Sequence, residues 1–121
     1  MRTIVVDIDE TLLISGKLSK ILRWLARQLF KIALFAQKPN KTLINELKKY
    51  DKIIILTARG INYKELTEKQ LRRHHIKYNS LIMCNYTYMI YQWKLSVTQK
   101  LKPTIWVDDI KDRKIGIEGY T

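Results

Sequence analysis

The chain has a single cysteine, Cys84, in 121 residues. That excludes an internal disulfide and a zinc site built from several cysteines, and it fits a reducing compartment. Its two histidines, His74 and His75, stand side by side at the basic end of a helical stretch, so no His/Cys cluster competes for a soft metal. No apolar run is long enough to cross a membrane: the best candidate, Leu18 to Ala36, is broken by Lys20, Arg23, Arg27 and Lys31. Met1-Arg2 leads directly into a strand-like run, so no leader peptide is expected and the expected location is cytoplasmic. Internal repeats and low-complexity linkers are lacking too. A single domain over 1–121 is therefore expected, with room for one core.

Acidic residues are the scarcest resource. Eleven Asp and Glu face 23 Lys and Arg, giving a formal charge of +12. Five of the acids are Asp7, Asp9, Glu10, Asp108 and Asp109, so the remaining surface is more basic than the total implies. Between Glu10 and Glu46 no acid occurs at all. Such a balance attracts polyanions: nucleic acid, an anionic membrane face or phosphorylated small molecules.

What is present reads as an α/β fold. Thr3-Ile4-Val5-Val6, Ile53-Ile54-Ile55-Leu56, Ser80-Leu81-Ile82-Met83 and Thr104-Ile105-Trp106-Val107 are strand-like, with a weaker candidate at Ile115-Gly116-Ile117. Helical patterns lie between them at 42–50, 62–75 and 88–101. Strands alternating with helices imply a Rossmann-like three-layer arrangement, a central parallel sheet flanked by helices. One segment is extra. Over 17–37, Leu18, Ile21, Leu22, Leu25, Leu29, Ile32, Ala33 and Ala36 share one helical face and five bases the opposite one, yet Trp24, Phe30, Leu34 and Phe35 lie on or beside the basic face. Apolar groups there favour an intermolecular contact. A lid or a homodimer through this helix is ranked first, an anionic membrane surface second and nucleic acid third.

The chemistry gathers at the strand ends. Asp7 and Asp9 follow the first strand two residues apart, and since side chains alternate along a strand they are expected to emerge side by side at its C-terminal end. Carboxylates held together repel, and they are tolerable when a cation lies between them or one keeps its proton. Thr57 closes the second strand, so its hydroxyl and the amides of Ala58 and Arg59 face the same cleft. Asp108-Asp109 closes the last strand. Oxygen donors of this kind favour magnesium over zinc. Arg59 stands open between contact with a substrate phosphate and a place in solvent.

Asp7-Ile8-Asp9-Glu10-Thr11-Leu12, Leu56-Thr57-Ala58-Arg59 and Val107-Asp108-Asp109 resemble the signature motifs of the haloacid dehalogenase-like phosphatases, in the family's order and across nearly the whole chain. The run from Lys49 to Met83 resembles that of its small capless members, such as capsule-biosynthesis and nucleotidase-type phosphatases and the 3′-phosphatase half of polynucleotide kinase. The resemblance implies a magnesium-dependent phosphomonoester hydrolase. Asp7 would attack phosphorus and form an aspartyl-phosphate, and Asp9 would act as general acid and base. Asp7, Asp9 through its backbone carbonyl, Asp108 and Asp109 would hold Mg2+. Thr57, Ala58 and a lysine would hold the phosphoryl oxygens. The lysine is taken as Lys94, with Lys100 and Lys102 as rivals. The helix over 17–37 sits where larger relatives carry a cap. Two other readings stay open on the residues alone: a metal-dependent nuclease using the same acids, and a non-catalytic phosphate- or nucleic-acid-binding module.

Overall fold

The structure, a computed structural model, describes residues 1–16, 35–84 and 89–108. Strand β1 (Thr3–Val6) is followed by the two-residue strands β2 (Leu13–Ile14) and β3 (Lys38–Pro39), helix α1 (Lys41–Leu47) and strand β4 (Lys52–Gly60). A 3₁₀ turn at Ile61–Tyr63 leads into α2 (Lys64–Arg73), then β5 (Ser80–Cys84), α3 (Ile90–Leu101) and β6 (Ile105–Val107). The expected strands at 3–6, 53–56, 80–83 and 104–107 and the helices at 42–50, 62–75 and 88–101 are all found within a few residues. The expected strand at 115–117 and nearly all of the amphipathic helix lie outside the described residues.

The main sheet has the order β5-β4-β1-β6, and every pairing is parallel. The chain moves outward from β1 to β4 and β5, then crosses back to add β6 on the other side of β1. Strand order therefore reverses at β1, the place where open α/β sheets leave a crevice beyond their strand ends. Both faces of the sheet are covered, which is why its strands read as continuous apolar runs instead of alternating ones. One core contains Ile4, Val6, Ile8, Leu12, Ile55 and Leu71, with Leu47 from α1. On the opposite face Val5, Ile54, Leu56 and the fully buried Trp106 pack with Trp93, Val97 and Leu101 of α3. Truncating Trp106 to alanine would remove about 3–5 kcal/mol from this second core.

The short antiparallel pair β2–β3, with Leu13 opposite Pro39 and Ile14 opposite Lys38, was not expected from the sequence. It brings the residues before and after 17–34 side by side. Asn40 fastens this ribbon to α1. Its Oδ1 caps the helix by accepting from Leu43 N at 3.3 Å, while its Nδ2 donates to Thr11 O at 3.1 Å. Among the described residues no helix is long and apolar enough to cross a membrane.

Candidate active site

Register decides which acids meet. Val5 pairs with Trp106 and Val6 with Val107, and the ladder runs one step further through Asp7 N, which donates to Val107 O at 3.1 Å. Alternation then puts Asp7 in the row of Val5, and Asp108 in the row of Trp106, both on the α3 side of the sheet. From α3, Lys94 reaches in. Its Nζ lies 3.0 Å from Asp7 Oδ1 and 2.8 Å from Asp108 Oδ2, and all three side chains are almost wholly buried. Lys100 and Lys102 are exposed on the same helix end, where Lys102 takes a left-handed φ of 48° as the cap before Pro103.

One ammonium faces two carboxylates there, and the balance shows in their proton affinities. Burial, reinforced by the charge of Asp108 and opposed by Lys94, pushes Asp7 from 3.8 up to about 8. Burial alone would depress Lys94, but the charges of Asp7 and Asp108 outweigh it and raise the ammonium instead. Lys94 is thus a fixed cation, and Asp7 is the group that takes up the surplus proton. The Oδ1 atom of Asp108 is buried and has no hydrogen-bond partner among the described residues.

Asp9 goes elsewhere. The strand ends at Val6, so alternation does not carry Asp9 to the side of Asp7; the expectation of two neighbouring carboxylates emerging together does not match the geometry. A tight loop follows, in which Thr11 N and Leu13 N both donate to Ile8 O, at 3.1 and 3.0 Å, while Glu10 adopts a left-handed φ of 63°. A non-glycine residue in that region carries about 1 kcal/mol or more of strain, a common feature of functional turns. Ile8 drops into the core and Asp9 turns toward β4.

There it meets Arg59. The guanidinium grips Asp9 through two bonds, Nε to Oδ2 at 3.1 Å and Nη2 to Oδ1 at 2.9 Å. Its other three N–H groups go to Thr67 Oγ1 (3.0 Å), Gln70 Oε1 (2.9 Å) and Gln37 Oε1 (2.9 Å). All five donors of the guanidinium are thereby placed. Gln37 closes the network by donating to Asp9 Oδ1 at 2.9 Å and to Ser15 Oγ at 3.1 Å. Of the two environments that the sequence left open for Arg59, substrate phosphate or solvent, solvent does not hold, because the side chain is buried in this clamp. Sequence reasoning missed Gln37 and did not see why Thr67 and Gln70 are buried. Their spacing with Leu71 on α2 (i, i+3, i+4) was the available signal: polar groups on an inward helical face need a polar partner.

Thr57 is fully buried, and its hydroxyl accepts from Arg59 N at 3.1 Å. It is not the end of its strand, as expected, because β4 runs on to Gly60. The register with β5 slips between Thr57 and Gly60, an irregularity that re-aims Ala58 and Arg59 at the sheet's rim. Ala58 is exposed. Asp109 lies outside the described residues. Among the described residues no group of three or more His, Cys, Asp or Glu forms a metal cage; the expected ligands brought together are Asp7 and Asp108.

Neither a family model nor a curated protein matches the chain. Solved structures do. One, of the Pnkp1/Rnl/Hen1 RNA repair complex, superposes with a TM-score of 0.70 at 21% identity, over 91% of this chain and 36% of that one. A second structure of the Pnkp1/Rnl/Hen1 complex gives a TM-score of 0.71 at 21% identity, over 91% and 39%. This chain thus spans less than two-fifths of the chains it resembles, and the likeness is one of fold.

Proposed function

We propose that this chain is a magnesium-dependent phosphomonoesterase of the haloacid dehalogenase-like type, acting on the phosphorylated end of a nucleic acid or a nucleotide. The observation that carries the reading is the buried Asp7–Lys94–Asp108 constellation at the reversal point of strand order. The excess of positive charge suits a polyanionic substrate, and the fold likeness to an RNA repair complex points the same way.

The donors suit a hard divalent ion. Two carboxylates converge, one with a buried, unpartnered oxygen, and Lys94 alone leaves the pair one negative charge in surplus. Magnesium commonly takes only one or two carboxylates and completes its shell with water and phosphate. Asp7 and Asp108 would hold it, joined by the Asp9 carbonyl and Asp109. When bound it supplies electrostatic stabilisation of the charge that develops on the transferred phosphoryl group.

The chain's own groups then divide the work. Asp7 becomes the ionised nucleophile once positive charge beyond that of Lys94 reaches the pair. An Asp7 oxygen attacks phosphorus while the ester P–O bond breaks, and the leaving alkoxide takes a proton from Asp9. Water next attacks the phosphorus and gives its proton to Asp9, the P–O bond to Asp7 breaks, and inorganic phosphate departs. Lys94, with the amide of Ala58 and the hydroxyl of Thr57, orients the phosphoryl oxygens. In the arrangement observed Arg59 grips Asp9 through two hydrogen bonds. The protonating half of the cycle requires Asp9 to leave that fork. A phosphate-release screen with magnesium, over nucleotides, 3′- and 5′-phosphorylated oligonucleotides, sugar phosphates and lipid phosphates, tests the proposal, with Asp7→Asn as the control. Turnover by the wild type that survives in Asp7→Asn would refute it.

A further inference from the structure

A cavity of about 630 Å³ lies beside α2, lined by Phe35, Lys38, Pro39, Leu66, Arg73 and His74 together with Gln37. Its place is notable, because Gln37 also donates to Asp9 Oδ1 at 2.9 Å. One residue separates the cavity from the candidate general acid. Along α2 it runs from Leu66 to Arg73, seven residues or about 10 Å of helix. That is enough to seat a nucleoside with a flanking phosphate.

Its walls combine what such a ligand needs. Leu66, Pro39 and Phe35 are apolar and half-buried, and the Arg73 guanidinium lies over the Phe35 ring at 4.7 Å from its centre. Lys38 and Arg73 are exposed cations at the rim, and no acid is among the described lining residues. The Nε2 atom of His74 is buried without a hydrogen-bond partner among the described residues. Burial, with the charges of Arg73 and His75, holds that imidazole below its ordinary 6.5, so at neutral pH it is an uncharged donor or acceptor. A planar apolar wall and two phosphate-range cations form a combination that binds bases and backbone together. The second cavity, about 330 Å³ among Ile44, Leu47, Tyr50, Ile53, His75 and the cations Lys48 and Lys77, touches no residue of the acid network among the described residues.

We infer that the cavity beside α2 docks the strand of a single-stranded nucleic acid whose terminal phosphate is presented to Asp7. The inference rests on the phosphomonoesterase reading for the last clause only; the docking stands on the cavity. Arg73 and Lys38 each neutralise a backbone phosphate, and Phe35 and Leu66 give the neighbouring base its apolar wall.

The test measures binding of a fluorescein-labelled, 3′-phosphorylated single-stranded RNA by anisotropy across a salt series. Lys38→Glu with Arg73→Glu is compared with Lys48→Glu with Lys77→Glu, an equal change of charge around the other cavity. Loss of two phosphate contacts should flatten the slope of log affinity against log salt by about 1.4 in the first variant. Its affinity should fall about tenfold or more, and that of the second by much less. Phe35→Leu, which keeps apolar bulk but removes the ring, should weaken binding about fivefold. Equal losses in both charge variants would mean a general electrostatic surface and would overturn the docking site. So would retention of RNA binding by Lys38→Glu with Arg73→Glu, or a loss confined to phosphatidylserine vesicles. Hydrolysis of p-nitrophenyl phosphate is read in parallel. If the wild type turns that ester over and the RNA contrast is missing, the docking site falls alone. If the RNA contrast holds and no phosphate ester is hydrolysed, the enzymatic reading falls alone.

Discussion

Asp7 and Asp9 are two residues apart, yet they belong to electrostatically opposite regions. On the α3 side Asp7 is buried beside a second acid with one lysine between them, so with both acids ionised the group would carry one surplus negative charge, and burial pushes Asp7 up to about 8. On the α2 side Asp9 is paired bidentately with Arg59, and every guanidinium hydrogen has a partner. The first region is frustrated and the second satisfied. The difference teaches that the sheet's rim is partitioned by its two faces: an unmet electrostatic demand around Asp7 on one side, and on the other a rigid clamp around Asp9. Reactive groups tend to sit where environments drive neighbouring titratable groups apart.

The largest expected effect breaks the frustrated side. Asp7→Asn should lower phosphate release by about 10³-fold or more, as expected for loss of a nucleophile, while circular dichroism shows the fold intact. Stability should move the other way. Between about pH 4 and 8 the native state binds a proton at Asp7 that the unfolded chain has released, so metal-free wild type loses stability as pH rises through that window. Asp7→Asn abolishes this loss and should melt higher than wild type at pH 8, with little difference at pH 4. A wild-type melting temperature that climbs from pH 5 to pH 8 without metal would contradict the assigned environment.

Breaking the satisfied side should show mainly as stability. Arg59→Met leaves Asp9 without its counter-charge and strands Gln37, Gln70 and Thr67, at a cost of about 3 kcal/mol in denaturant unfolding. Lys94→Met should cost less, since Asp7 can already take a proton, although it removes activity. If the two variants lose equal stability, the contrast between the regions is wrong. The smallest effect tests the rim of the clamp. Gln37→Leu removes donors to Asp9 and Ser15 and an acceptor for Arg59, which should cost about 1–2 kcal/mol and shift the pH optimum of turnover more than its maximum rate.

Much of the fold was legible because parallel strands buried on both faces are apolar throughout, and the four runs at 3–6, 53–56, 80–83 and 104–107 carry that mark. The grouping of Asp7 with Asp108 was legible too, since both directly follow such runs. What the sequence did not disclose depends on turns and bulges. A left-handed Glu10 and the end of β1 at Val6 turn Asp9 toward Arg59, which a period-two reading of β1 does not give. Arg59 keeps the buried row of Ile55 and Thr57 because β4 runs on to Gly60 instead of ending at Thr57. Gln37 was hidden for a different reason, as it joins Asp9 across 28 positions of chain and only the pairing of β2 with β3 brings it near.

The central claim is that Asp7 carries the phosphoryl group during turnover. Borohydride added to the protein as it hydrolyses a phosphate ester with magnesium would reduce an acyl phosphate to an alcohol, and mass spectrometry of the N-terminal peptide would locate it. The account predicts homoserine at position 7 in the wild type and an unmodified peptide in Asp7→Asn. Phosphate release with no modification at position 7, or with modification at another acid, would contradict it.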